Sequence, residues 1–120
     1  MLESAVKYKV MKAWKDKGGL GFNISEKFAS GIPDSYFAMN SGGIWIEYKI
    51  DYGQLSKLQE KTLSDLSRHG IQACVVRYKN KTKTFNLHTW GDIGRTWTGI
   101  DLKKLIDLLF NLCGSGEYLL

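Results

Sequence analysis

The chain has 120 residues, 43% of them hydrophobic and 24% charged, and its 17 Lys and Arg outweigh 12 Asp and Glu to give a net charge of +5. That apolar share excludes a disordered chain, and no apolar run approaches the roughly 20 residues of a membrane-spanning helix. No signal-peptide pattern opens the chain, so one cytoplasmic domain over residues 1–120 with no membrane partner is expected, its positive charge suiting either a polyanion or plain solubility.

The first element is a helix from Leu2 to about Lys17. Leu2, Ala5, Val6, Val10, Ala13 and Trp14 share one face, Lys7, Lys9, Lys12 and Lys15 populate the remainder, and Gly18-Gly19 ends it. Glu3 lies in the first turn, where the helix dipole favours an acid; turned toward the next strands it would instead join a site there. Phe22 to Gly31 reads as the connection that follows. Its Lys27 and Ser30 are placed either to touch a phosphate backbone or merely to line an irregular loop.

Pro33 and Asp34 precede a short strand, Ser35 to Met39, and Asn40-Ser41-Gly42-Gly43 reads as a turn. Ile44 to Ile50 then alternates with a period of two. Ile44, Ile46, Tyr48 and Ile50 form one apolar face, with Trp45, Glu47 and Lys49 on the other. With a four-residue loop, Tyr36 would face Glu47 and Asp34 would face Lys49. Opposed residues of an antiparallel pair share a face, so Asp34, Glu47 and Lys49 would converge.

The second helix runs from about Ser56 to His69, with Leu58, Thr62 and Leu66 toward the sheet and Gly70 as its stop. Ser56 and Gln59 have the spacing of a capping box, which accounts for Gln59 without any role in a site. Ile71 to Tyr78 reads as a third strand, with Ala73, Val75 and Arg77 alternating against Cys74, Val76 and Tyr78, and Phe85 to His88 as a fourth. Between them lie Lys79, Lys81 and Lys83, which with Arg77 form the densest positive cluster of the chain. They read either as a grip on DNA phosphates or as a solvated hairpin tip. Residues 89–120 read as a C-terminal extension. Its Ile100–Leu112 helix has an apolar face broad enough to suit either packing on the sheet or a homodimer interface. Cys74 and Cys113 lie far apart and lack metal-site spacing, and Cys74, in an apolar strand, reads as a reduced core residue.

Two carboxylates and an amine converging on a small sheet suit phosphodiester hydrolysis. Asp34 and Glu47 offer hard oxygen ligands for Mg²⁺ or Mn²⁺, and Lys49 can stabilise the charge that develops on a phosphate. The alternative is a surface ion pair across a hairpin.

Gly31-Ile32-Pro33-Asp34, Trp45 to Lys49, Gly53-Gln54-Leu55-Ser56 with Gln59, Gly70, and Val75-Val76-Arg77 together resemble the VRR-NUC branch of the PD-(D/E)XK nucleases. The match covers Gly31 to Arg77. The resemblance implies that Asp34 and Glu47 ligate Mg²⁺ or Mn²⁺, that Lys49 is the catalytic lysine, and that Gln59 belongs to the site. It implies an additional acidic ligand, for which Glu3 is the candidate. It also implies a restriction-endonuclease-like α/β domain, which the elements read above fill in the order αββαββα with a central mixed sheet of about four strands.

The expected function is therefore a metal-dependent endonuclease acting on DNA, with no small-molecule organic cofactor. Stand-alone members of the resembling family are phage or bacterial homodimers, which points to branched DNA such as Holliday junctions. A site-specific restriction or homing endonuclease or nickase fits the same fold. A non-catalytic DNA-binding accessory module, or an interaction protein using the last helix, are the readings from other classes.

Overall fold

Val6, Val10, Met11 and Trp14 lie along one stripe of helix α1 (Glu3–Asp16), and all four are buried. At its end Trp14 stacks on Phe37, with ring centroids 5.0 Å apart, and donates its indole N–H to the Leu20 carbonyl. Leu2 and Ala5, expected on the buried face, are exposed, because the stripe runs through Met11 and leaves both to one side. The computed structural model describes residues 1–24, 31–40, 42–91 and 94–114.

The strands are β1 (Leu20–Asn23), β2 (Ser35–Met39), β3 (Gly42–Ile50), β4 (Ala73–Lys79), β5 (Thr84–Thr89) and β6 (Thr96–Ile100), with helix α2 (Lys57–Arg68) after β3 and helix α3 (Leu102–Gly114) last. They form one mixed sheet in the order β1-β2-β3-β4-β5-β6. Every neighbouring pair is antiparallel except β3 and β4, which run parallel and are joined through α2. A parallel neighbour requires such a crossover.

The sheet has six strands where four are expected from the sequence. The two additions are its edges, β1 and β6. Both are largely exposed, so neither carries a clear apolar alternation. In sequence, residues 20–23 fall between a helix stop and a connection, and Thr96–Ile100 sits in a Gly- and Thr-rich stretch without strand patterning.

Each face of the sheet has its own cover. On one, α1 and α3 enclose Phe37, Ile44, Ile46, Tyr48, Cys74 and Val76, all fully buried. The apolar side of α3 is used here: Leu105, Ile106, Leu109, Leu112 and Cys113 are buried against the sheet. This is the packing on the sheet that the sequence offers as one reading of that face, with Leu102, Leu108 and Phe110 partly buried beside it. The other face carries α2, whose Leu63 packs on Ala73 and Val75, flanked by Trp45, Leu55, Leu66 and Trp90. Leu58, expected to face the sheet, is 48% exposed. The inward stripe of α2 is Gln59, Leu63 and Leu66, at helical spacing i, i+4, i+7. None of the described helices is long and apolar enough to cross a membrane.

Candidate active site

The hairpin of β2 and β3 pairs Met39 with Gly42, Tyr36 with Trp45 and Ser35 with Ile46. The connection is therefore two residues long, not four, and Asn40 enters it with a left-handed φ of 58°. Gly42 and Gly43 belong to the strand because neighbours press on them. A Cβ at Gly42 would overlap the Cys113 carbonyl of α3, and one at Gly43 would overlap the Tyr36 hydroxyl. The register shifts by two residues from the expected one. An even shift preserves every face. Asp34 consequently lies opposite Glu47 rather than Lys49.

Asp34 is 6% exposed and Glu47 2%. One Asp34 oxygen accepts the Tyr48 backbone N–H at 2.8 Å, extending the hairpin beyond its last paired residues. The other is 3.3 Å from Lys7 Nζ, which reaches down from α1. Oε2 of Glu47 accepts a hydrogen bond from Gln59 Nε2 at 3.1 Å and lies 3.8 Å from Lys49 Nζ. The structure thus brings Asp34, Glu47, Lys49 and Gln59 together.

Gln59 combines two roles that the sequence sets against each other. Its Oε1 accepts the Ser56 backbone N–H at 2.9 Å and the Ser56 hydroxyl accepts the Gln59 N–H at 3.1 Å, completing a capping box, while Nε2 serves Glu47.

Burial is the largest influence on Glu47. The charge of Asp34 and a hydrogen bond shared with it add to this, and together they push Glu47 up to about 8, against the opposing pull of Lys49. Glu3 also repels Glu47, so it is close enough for its charge to be felt. A pair of carboxylates that repel this strongly is a place where a cation would relieve the field. The donors are hard oxygens, which suit Mg²⁺ or Mn²⁺. Among the described residues no three His, Cys, Asp or Glu side chains are grouped closely enough to hold a metal by themselves. Two protein carboxylates with the remaining positions left to water and phosphate is the usual arrangement for Mg²⁺.

Among the described residues, Lys7 joins the site unexpectedly, since the sequence places it on the solvated side of α1. A signal is present: Glu3, Lys7 and Met11 are spaced by four, directly beside the Val6–Val10–Trp14 stripe.

The expected nucleic-acid contacts fall into three groups. Arg77 is the register partner of Lys49 on one side and Asn86 on the other, so a polar row crosses β3, β4 and β5 beside the carboxylates. Its Nη1 donates to the carbonyls of Asp51 and Gly53 at 2.8 and 2.5 Å, which anchors the loop after β3. Lys79 Nζ lies 4.3 Å from the centroid of the Tyr52 ring, and both residues join Arg77 and Asn86 along an open cavity of about 660 Å³. Lys81 and Lys83 are exposed on the β4–β5 turn. Lys27 and Ser30 lie outside the described residues.

No protein-family model matches the chain, and no curated protein matches it. Among solved structures it is similar to Hjc, a Holliday junction resolvase of the archaeal hyperthermophile Archaeoglobus fulgidus. The TM-score is 0.59 at 14% identity, with 88% of this chain and 99% of that chain covered. The likeness is one of fold. It agrees with the restriction-endonuclease-like α/β architecture expected from the sequence, here with six strands.

Proposed function

We propose that this chain is a metal-dependent endonuclease that hydrolyses phosphodiester bonds in branched DNA. The observation that carries the reading is the buried pair Asp34 and Glu47, in which burial and the nearby Asp34 push Glu47 up to about 8, with Lys49 and Gln59 on one Glu47 oxygen. A structural or purely DNA-binding domain gains nothing from burying two opposed carboxylates, which costs stability unless a ligand compensates.

Asp34 and Glu47 would hold Mg²⁺ or Mn²⁺, which when bound polarises a phosphate and lowers the pKa of a coordinated water. Gln59 fixes the Glu47 carboxylate by its amide hydrogen bond. Lys49, 3.8 Å from the same oxygen, is placed to neutralise charge that develops on the phosphate during attack. Lys7 balances Asp34 from the opposite side, and Glu3 is a further acidic group at the margin. Arg77, Lys79, Lys81 and Lys83 would carry the flanking phosphates; Lys27 and Ser30 are proposed with them on sequence alone.

The motifs from Gly31 to Arg77 support a VRR-NUC type of nuclease, and the fold shared with a Holliday junction resolvase supports a branched substrate. A homodimer acting on two strands would suit such a substrate. The test is cleavage of linear, nicked, flapped and four-way-junction DNA by wild type and Lys49→Ala, with Mg²⁺, Mn²⁺ or EDTA. Metal-dependent cutting of branched DNA that the mutant loses is expected. Cutting that follows a sequence regardless of branching would favour a restriction or homing enzyme, and tight binding without cleavage would favour an accessory module.

A further inference from the structure

One step along the strands from the carboxylates, the same sheet face becomes aromatic. Phe22, Tyr36 and Trp45 are register partners across β1, β2 and β3. The next row on that face, two residues or roughly 7 Å away, is that of Asp34 and Glu47. The Tyr36 and Trp45 rings have centroids 4.9 Å apart and are tilted by 57°. With Ile24, Leu66 and Ile71, these three aromatics line an open groove of about 420 Å³. Phe22 and Ile71 stand at its mouth, 52% and 43% exposed, and among the described residues no charged side chain lines it. An apolar groove left open beside a polar site has the shape and chemistry to take a flat apolar group.

We propose that this groove receives one unpaired nucleobase of the DNA strand whose phosphodiester lies at Asp34 and Glu47. The inference rests on the nuclease reading above and adds to it the basis of substrate choice. Every base has a π face that aromatic side chains can stack on, whatever the sequence. In an intact duplex both faces of each base are already covered, so only a base freed at a branch or end can enter. The offset of one row between groove and carboxylates is comparable to the distance from a phosphate to its own base. The charged site at Asp34 and Glu47 suits the phosphate, while the groove, uncharged among the described residues, suits the base it carries. Recognition of this kind would distinguish branched from linear DNA without reading sequence.

The test uses the full chain in EDTA, so that binding is separated from cleavage. A four-way junction carrying 2-aminopurine at the branch is compared with a fully paired duplex carrying it internally, for wild type, Phe22→Ala and Lys81→Ala. Phe22 is exposed on an edge strand, so its replacement leaves the core intact, which a thermal melt verifies. Phe22→Ala is expected to weaken junction binding roughly 5- to 100-fold and to abolish the change in 2-aminopurine fluorescence, with duplex affinity nearly unchanged. Lys81→Ala is expected to weaken both DNAs alike. Equal loss on both DNAs in Phe22→Ala, or no loss on either, would overturn the proposal while leaving the nuclease reading in place. Sedimentation that shows Phe22→Ala turning a dimer into a monomer would assign the groove to a second copy and likewise overturn it. Wild type that neither binds nor cuts any DNA would remove the nuclease reading itself.

Discussion

Gln59 Nε2 donates to Glu47 Oε2 at 3.1 Å, so the first turn of α2 is tied directly to a buried carboxylate on β3. The other end of the same amide caps the helix through Ser56. Helix start and site geometry are thus held by one side chain, and the two contributions are separable by mutation. Gln59→Glu retains an oxygen for the Ser56 N–H but replaces the donor with a second negative charge beside Glu47. It is expected to melt near the wild-type temperature and to cut DNA at least about tenfold more slowly, given the usual weight of a hydrogen bond to a charged group. Ser56→Ala should do the reverse, costing about 1 kcal/mol of stability while single-turnover cleavage persists. Equal effects of the two variants on cleavage would show that Gln59 acts only as a cap.

Lys49 Nζ lies 3.8 Å from Glu47 Oε2, beyond hydrogen-bond distance, so its removal should be felt chiefly in the chemistry. Lys49→Ala is predicted to lower the single-turnover rate by roughly 10²- to 10³-fold with DNA affinity in EDTA little changed. A parallel loss of affinity would place Lys49 in substrate binding instead.

Burial and Asp34 raise Glu47 to about 8, so the folded protein holds this proton more tightly than the unfolded chain, where the group titrates near 4.5. The stabilisation from this site is complete below pH 4.5, declines as the pH rises toward 8, and is absent above it. Without divalent cations, the contribution of Glu47 to the unfolding free energy should fall across that window, by at most about 1.4 kcal/mol per pH unit. Glu47→Gln should remove this slope and raise the melting temperature at pH 8. Denaturant melts from pH 5 to 8 provide the comparison, and identical slopes for the two proteins would refute it.

If Asp34 and Glu47 ligate a divalent cation, binding must expel the Glu47 proton. Adding Mn²⁺ at pH 7 in weak buffer should release up to about one proton per site, and Glu47→Gln should release none. Calorimetry in buffers of different ionisation enthalpy measures this directly. Binding without proton release would exclude Glu47 from the ligand set.

Lys81 and Lys83 are exposed on the β4–β5 turn, whereas Arg77 is bonded to the carbonyls of Asp51 and Gly53. Replacing both lysines with alanine should reduce the salt dependence of DNA affinity by up to about one unit of slope for each phosphate left unneutralised, with stability unchanged. Arg77→Ala should lower stability as well as affinity. A stable Arg77→Ala protein with weakened binding would assign that guanidinium wholly to DNA.

The central hairpin and α2 are legible in the sequence because their signals are local and redundant: alternation from Ile44 to Ile50, and the Ser56–Gln59 box. The convergence of Asp34, Glu47 and Lys49 follows from strand parity, which survives an even error in loop length. The loop length itself is not legible. Gly42 and Gly43 look like turn residues, yet they serve close packing against Cys113 and Tyr36, the first of them far away in sequence. The edge strands lack alternation because solvent covers much of their surface. Lys7 escapes notice because a helical wheel shows which residues neighbour the buried stripe, but not what waits beyond it.

Asp34, Glu47, Lys49 and Gln59 all lie within residues 34–59, around β2, β3 and the start of α2, and among the described residues only Lys7 and Glu3 arrive from elsewhere. The hairpin closes through a two-residue connection, so little chain entropy opposes bringing the carboxylates together. Any cost of placing Glu47 beside Asp34 would then arise before Lys7 and the enclosing helices are in place. If this hairpin forms early, the constellation proposed to carry the chemistry would also slow its folding. Pulsed hydrogen exchange should find the Tyr48 amide protected sooner in Glu47→Gln than in wild type.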